Sequence, residues 1–393
     1  MIHFVTWIPL PYQQTLCRAL NGHYRSELLV WFGETNNNQY PYQHGLTEGF
    51  SSRYLDREGY WEFFKALLGD KNAIVILGGW RSPMTIRTLF ITSLLRVPVF
   101  IWADHPWPRR RNFINRAVRT SYLSVVNKIA DGFLACGQPT LEHLRSLGLN
   151  HNKLVLFPYW TDVPENWTFP AHTQEEAISN KQPLKLISVG RLFPIKQFAV
   201  AIEAISIANK RAGRQLAELL IAGEGPERPA LEQRAAELNS SNCVTFLGWL
   251  EPHEIIRQIE NADMLLIPSL FEGYGVAVLE AMAAGRPVLA SENVMAAIDR
   301  NERNGGVMLH RVGDAQQIAE QITWFAADHQ KLRNASIAAR RTAERWPPSR
   351  ATEILDKVLV KTAAGRRLVS EVRSKPLTSF PERSVGVRVW PTT

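Results

Sequence analysis

Met264-Leu265-Leu266-Ile267-Pro268-Ser269-Leu270-Phe271-Glu272-Gly273-Tyr274-Gly275-Val276-Ala277-Val278-Leu279-Glu280-Ala281-Met282-Ala283-Ala284-Gly285-Arg286-Pro287-Val288-Leu289-Ala290 reads as one strand–helix–strand unit. Its first four residues are apolar, as a strand covered on both faces should be. A loop with Gly273 and Gly275 follows, then a helical pattern over Gly275–Ala284 and a second strand at Pro287–Ala290. Such units, repeated, build a parallel sheet wrapped by helices.

The same alternation extends outward from this stretch. Upstream, strands are expected at Leu184–Val189, Glu218–Ala222 and Val244–Leu247, with helices at Gln197–Ala212, Pro226–Leu238 and Pro252–Asn261. Downstream, a helix is expected at Ala315–Asp328. The first half repeats the pattern, with strands at Ile2–Thr6, Leu28–Phe32, Ala73–Leu77, Val97–Trp102, Gly132–Ala135 and Leu154–Phe157. Trp61–Leu68 and Ser82–Leu95 carry apolar positions at helical spacing. Between the halves, Pro164, Pro170 and Pro183 interrupt a mostly polar stretch, the best linker candidate.

The expected architecture is therefore α/β, with two doubly wound, Rossmann-like domains facing each other across a cleft. The expected boundaries are 1–165 for an acceptor-side domain, 166–183 for the linker and 184–345 for a nucleotide-sugar domain. A last helix at 346–363, capped by Ser349 and crossing back to the first domain, precedes a poorly ordered basic tail at 364–393. In open sheets of this kind ligands bind beyond the carboxyl ends of the strands, so functional residues should follow strands directly.

Bulk properties narrow the function classes. The 393 residues include 45 Lys and Arg against 37 Asp and Glu, a net charge of +8 that favours anionic partners. No recognised nucleic-acid module accompanies this charge, so nucleic acid is not an expected partner. No apolar run approaches the ~20 residues of a membrane span. The first residues read as a buried strand rather than a signal peptide, and the expected compartment is the cytoplasm. Cys17, Cys136 and Cys243 are widely spaced, which suits core packing and neither a metal site nor a disulfide framework.

Three constellations follow strands. Gly190 permits a tight exit from Leu184–Val189, and Arg191 and Lys196 then place two cations where a diphosphate would sit; a solvated loop is the competing reading. Glu272 precedes the next helix, and Glu280 lies among apolar residues within it. A buried carboxylate needs a partner, and vicinal sugar hydroxyls or backbone amides would both serve. Gly223-Glu224-Gly225 has Arg228 where a dinucleotide fingerprint needs a third glycine, so a tight strand-to-helix turn is the better reading.

Gly190-Arg191 with Lys196, Gly223-Glu224-Gly225, Phe246-Leu247-Gly248 and Glu272 with Glu280 stand in an order that resembles retaining GT-B glycosyltransferases of family 4, the glycosyl transferases group 1. The resemblance covers about residues 184–295. It implies that Arg191 and Lys196 hold the donor diphosphate and stabilise the leaving nucleoside diphosphate. It implies that Glu280 takes ribose hydroxyls and that Glu272 contacts the transferred sugar. Gly273, Tyr274, Gly275 and Val276 would line the sugar pocket, and Gly190, Trp249 and Leu250 would complete the donor site near the diphosphate and base. It further implies a UDP- or GDP-sugar donor, no cofactor, no bound metal, and front-face transfer of a hexose to a glycan or lipid-linked acceptor. Family members place a His after the strand that precedes Ala103-Asp104-His105-Pro106, so His105 joins Glu272, Arg191 and Lys196 as a candidate catalytic residue, with Asp104 a weaker one. A GT-B nucleotide-sugar epimerase and a non-catalytic nucleotide-sugar-binding homologue are the alternative readings.

Two features depart from the family pattern. Trp7-Ile8-Pro9-Leu10-Pro11-Tyr12-Gln13 holds no glycine where the family has a glycine-rich turn, and the tail beyond Ala363 has no counterpart. Arg109, Arg110, Arg111, Arg116 and Arg119 interleave with Phe113, Ile114 and Val118. That stretch reads either as an amphipathic helix on the anionic inner face of the cell membrane or as a solvated helix packed on the first sheet.

Overall fold

The computed structural model describes residues 1–25, 27–34, 47–79, 82–106, 113–173, 182–301 and 305–374, with the backbone alone for 113–119 and 373. The first half runs β1 (Ile2–Thr6), α1 (Pro11–His23), β2 (Leu28–Phe32), β3 (Ser51–Tyr54), α2 (Leu55–Gly69), β4 (Ile74–Gly78), α3 (Pro83–Leu95), β5 (Val99–Ala103), α4 (Phe113–Ile129), β6 (Gly132–Ala135), α5 (Gln138–Ser146) and β7 (Leu154–Leu156). Among the described residues these strands form a seven-stranded parallel sheet in the order β3-β2-β1-β4-β5-β6-β7. Every residue of β1 and β5 is buried, because helices cover both faces.

The second half repeats the plan with β8 (Leu184–Val189), α6 (Phe198–Ala212), β9 (Ala217–Ala222), α7 (Arg228–Glu237), β10 (Val244–Gly248), α8 (Pro252–Asn261), β11 (Met264–Ile267), α9 (Ala277–Ala283), β12 (Val288–Ser291), α10 (Met295–Arg300) and β13 (Val307–His310). Its described strands form a six-stranded parallel sheet in the order β10-β9-β8-β11-β12-β13. The winding reverses between β1 and β4 in one sheet and between β8 and β11 in the other. These switch points open crevices at the carboxyl ends of the strands.

Local signals explain several boundaries. Ser82 caps α3, its hydroxyl accepting from the Thr85 amide at 3.1 Å. Glu251 and Glu254 form a reciprocal capping box on α8. Pro11 stands in the first turn of α1, where its fixed φ suits a helix start.

After α11 (Ala315–Ala326) and α12 (His329–Glu344), α13 (Ser349–Leu359) and α14 (Ala363–Ser374) return to the first half. Asp356 of α13 accepts a hydrogen bond from the Tyr24 hydroxyl at 2.8 Å, and the His23 Nε2 lies 3.2 Å from it. Two expectations change here. Ser349 is the first residue of α13 and makes no cap, because Pro348 occupies the cap position. The stretch read as poorly ordered from 364 begins as helix α14, whose Leu368 and Val369 are buried in the core. Residues 375–393 lie outside the described residues.

The linker candidate packs along the second half. Trp167 covers Gly285, the Arg286 guanidinium donates to the Thr168 carbonyl at 2.6 Å, and Arg340 donates to the Pro164 carbonyl. One apolar cluster joins both halves through Phe157, Tyr159, Trp160, Tyr274, Leu279 and Met282. Cys17, Cys136 and Cys243 are buried and unpaired. No helix among the described residues is long and apolar enough to cross a membrane.

Candidate functional site

The loops after β8 and β9 are bound backbone to backbone. Gly190 N donates to Ala222 O at 3.0 Å, Leu192 N to Glu224 O at 2.9 Å and Glu227 N to Leu192 O at 3.1 Å. A Cβ at Gly223 would strike the Gly190 carbonyl, and one at Gly225 would meet Leu192 O. The Gly-x-Gly pair therefore exists for close approach of two loops, as the strand-to-helix turn reading requires.

This clamp fixes the exit from β8. Lys196 ends a short turn at Pro194–Lys196, and its side chain folds back against Gly190. Its ammonium pairs with Glu272, which arrives on the loop after β11. Glu272 Oε1 also accepts from the Ser269 hydroxyl at 2.9 Å. The backbone of Glu272 is held from below, its amide donating to Asn293 O at 3.0 Å. Arg191 lies with its guanidinium 5.2 Å from the centroid of Phe193. The two side chains of the ion pair keep 20% and 16% of their surface exposed, so a ligand can still reach both.

Glu280 sits on α9 among buried Val278, Leu279, Ala281 and Met282. Burial pushes its carboxyl up to about 7. Among the described residues that carboxyl makes no hydrogen bond or ion pair. Trp249 and Leu250 follow β10 and are half-buried. Gly275 adopts φ +99°, a conformation that opens the chain into α9 without strain.

The Tyr274 side chain does not line the space beside Glu272. Its ring is buried, its hydroxyl donates to Asp299 at 3.1 Å, and it packs edge-on against Tyr159 of the first half at 5.1 Å. Asp299 in turn accepts from the Gln138 amide at 2.8 Å, at the start of α5. Gly137 before that helix has no side chain to cap it, so a residue of the second half does so. Ser269, Asn293 and Asp299 were not marked by the sequence, because each acts only across a loop or between halves.

The first half contributes a cavity of about 550 Å³ at the ends of β1, β4 and β5, lined among others by Trp7, Tyr12, Ser82, Trp102, Asp104 and His105. The glycine-free turn after β1 thus walls this cavity with bulky side chains. His105 is half-buried, and burial holds its imidazole below the usual histidine range. Its ring lies 5.8 Å from that of Phe271, and its carbonyl abuts Gly273, both on the Glu272 loop. Asp104 accepts from the Tyr159 hydroxyl at 2.7 Å. The structure thus brings His105, Lys196 and Glu272 to one seam between the sheets. Arg109, Arg110 and Arg111 lie outside the described residues, as do the side chains of Arg116 and Arg119.

Two facing doubly wound sheets with their strand ends turned to one seam define the GT-B fold. A model of the family described as glycosyl transferases group 1 matches residues 171–342. The D-inositol 3-phosphate glycosyltransferase of Nocardia farcinica is 30% identical over 332 residues, 79% of this chain and 70% of that one. The amylovoran biosynthesis glycosyltransferase AmsK of Erwinia amylovora is 34% identical over 169 residues, 42% of this chain and 41% of its own. The match thus spans less than half of AmsK. Anabaena HepE, solved in complex with UDP, superposes with a TM-score of 0.74 at 18% identity, covering 92% of this chain and 100% of that chain. HepE with UDP-glucose superposes at 0.71. The chain belongs to the glycosyl transferases group 1 family.

Proposed function

We propose that the protein is a retaining glycosyltransferase, of family 4 type, that moves a hexose from a UDP- or GDP-sugar to a glycan or lipid-linked acceptor in cell-surface polysaccharide or glycolipid synthesis. The observation that carries this reading is the meeting of Lys196 and Glu272 at the ends of β8 and β11. HepE, solved with UDP and UDP-glucose, supports a nucleotide-sugar donor, and the printed role of AmsK supports polysaccharide synthesis.

The donor diphosphate sits against Arg191 and Lys196. It carries more charge than one carboxylate and draws the ammonium from Glu272, which is then free to accept from a sugar hydroxyl. Glu280 accepts from the ribose hydroxyls, which supply the partner its position lacks. The base lies against Trp249 and Leu250, and amides of Gly273, Tyr274, Gly275 and Val276 border the sugar.

The acceptor hydroxyl enters from the first-half cavity beside His105. The bond from the anomeric carbon to the diphosphate oxygen breaks, the acceptor oxygen bonds to that carbon on the same face, and its proton passes to the leaving diphosphate. Arg191 and Lys196 hold the negative charge that develops there, work that a metal ion performs in other transferases. Glu272 is a sugar contact in this scheme and not a nucleophile. The basic stretch from Arg109 to Arg119 would hold the protein at an anionic membrane, peripheral and on the cytoplasmic side.

Product analysis with labelled UDP- and GDP-sugars tests this reading. Transfer of label to an acceptor with retained configuration is expected. An epimerised nucleotide sugar, or tight binding with neither transfer nor donor hydrolysis, would overturn it.

A further inference from the structure

Helix α3 is apolar on both sides: Leu89 is buried in the core with Met84, Ile91 and Leu95 packed against it, and a second apolar stripe faces out. The face it turns to the sheet carries Thr85, Thr88 and Thr92, all buried, beside Leu89. The face it turns to solvent carries Ile86, Phe90 and Leu94, which are 49%, 70% and 64% exposed. These three stand four residues apart and form one stripe along the helix. Ordinary surface helices place their apolar stripe inward, and an exposed stripe of this size marks a surface that is covered in use.

The stripe does not stand alone. Helices α2, α3, α4 and α5 all pack into the same apolar cluster on one face of the first sheet. On the outer side of that layer, Trp61 and Leu68 of α2 are 66% and 64% exposed, and Val125 of α4 is 53% exposed. Arg87 of α3 lies over Tyr60 of α2 at 5.5 Å and ties the two helices together. The charges α3 offers are cationic: Arg87 on the stripe's flank and Arg96 at its end are exposed, and the helix holds no Asp or Glu. The cap and first turn of the same helix, Ser82 with Met84 and Thr85, line the first-half cavity.

We propose that the outer face of α3 docks on a lipid bilayer, with Ile86, Phe90 and Leu94 entering the interface between headgroups and acyl chains. Arg87 and Arg96 meet anionic headgroups, and Trp61 lies at the boundary where aromatic rings concentrate. Its residues are distinct in sequence from the basic stretch of 109–119 and would add apolar burial to the charge of that stretch. Because one end of α3 walls the cavity, docking sets the cavity mouth beside the bilayer, where the sugar headgroup of a lipid-linked acceptor arrives. That last step rests on the proposed glycosyl transfer; the docking itself does not.

The test is cosedimentation of the full chain with vesicles of phosphatidylethanolamine and phosphatidylglycerol in equal parts. Phe90→Ser with Leu94→Ser should weaken partitioning by about tenfold or more, as loss of two interfacial apolar side chains implies. UDP binding measured by calorimetry should be unchanged, which separates this inference from the proposed function. Ile86→Asn alone gives the same readout should the double variant fold poorly. Vesicle binding that survives these changes, or is absent in the unaltered protein, would overturn the proposal. So would a concentration-dependent dimer in sedimentation that the same changes dissolve, since the stripe would then serve a second copy of the chain.

Discussion

Lys196 and Glu280 sit in opposite electrostatic surroundings in the second half. The Lys196 ammonium has a carboxylate partner in Glu272, whereas the Glu280 carboxyl has none among the described residues and is pushed up to about 7 by burial. For an acid whose folded value lies above the ordinary 4.5, the folded state binds the extra proton. Stability is then lost as pH rises between about 4.5 and about 7. Glu280→Gln should remove that loss, melting above the unaltered protein at pH ~8 by about 1–3 kcal/mol and converging with it at pH ~4. Equal melting curves at both pH values would contradict the buried carboxyl. Hydroxyl donors stabilise the charged form, so UDP binding should release a proton near neutral pH, seen as a dependence of calorimetric heat on buffer ionisation enthalpy. Glu272→Gln should lower turnover by roughly 10²–10³ with UDP affinity little changed, as expected for a contact that matters most in the transition state.

Elements differ in how plainly they could be read. Ile2–Thr6, Leu28–Phe32, Gly132–Ala135, Leu184–Val189 and Met264–Ile267 appear in the structure with the bounds expected from sequence, because each is an apolar run between turn signals. Strand β3, Ser51-Ser52-Arg53-Tyr54, carries no such run; it is a sheet edge with alternate residues exposed. Loop contacts were legible only as a tendency to follow strands. Nothing in one sequence says that Lys196 meets Glu272, 76 residues away, or that Tyr274 turns its ring from the loop toward Asp299 and Tyr159. The glycines of the β9 loop were legible as a turn, while their reason, contact with Gly190 and Leu192, was not. Gly223→Ala should therefore displace the Gly190–Lys196 loop, costing about 2 kcal/mol or more and weakening UDP binding more than its own missing contacts explain. A variant with native melting and native UDP affinity would show that the loops do not depend on that approach.

At the scale of the molecule, the two halves share one apolar cluster, the returning helices α13 and α14, and the Asp299 contact to the start of α5. Tyr274 stands on the Glu272 loop and in that contact at once, so that loop and the relative placement of the halves are mechanically joined. Asp299→Ala removes the cap of α5, the Tyr274 partner and the buried partner of Arg300 together. It should cost about 3–5 kcal/mol of stability and raise the acceptor KM more than it weakens UDP binding. Native kinetics would mean that the contact serves stability alone.

In the proposed reading, the loops after β8 and β11 hold the diphosphate of a nucleotide-sugar donor. Calorimetry of UDP, GDP and ADP with the unaltered protein and with Lys196→Ala tests it most directly. One of the uridine or guanosine diphosphates should bind, and Lys196→Ala should weaken it by about 10–100-fold, the worth of a charge-assisted contact to phosphate. Equal affinity for that nucleotide in the two proteins would contradict the claim.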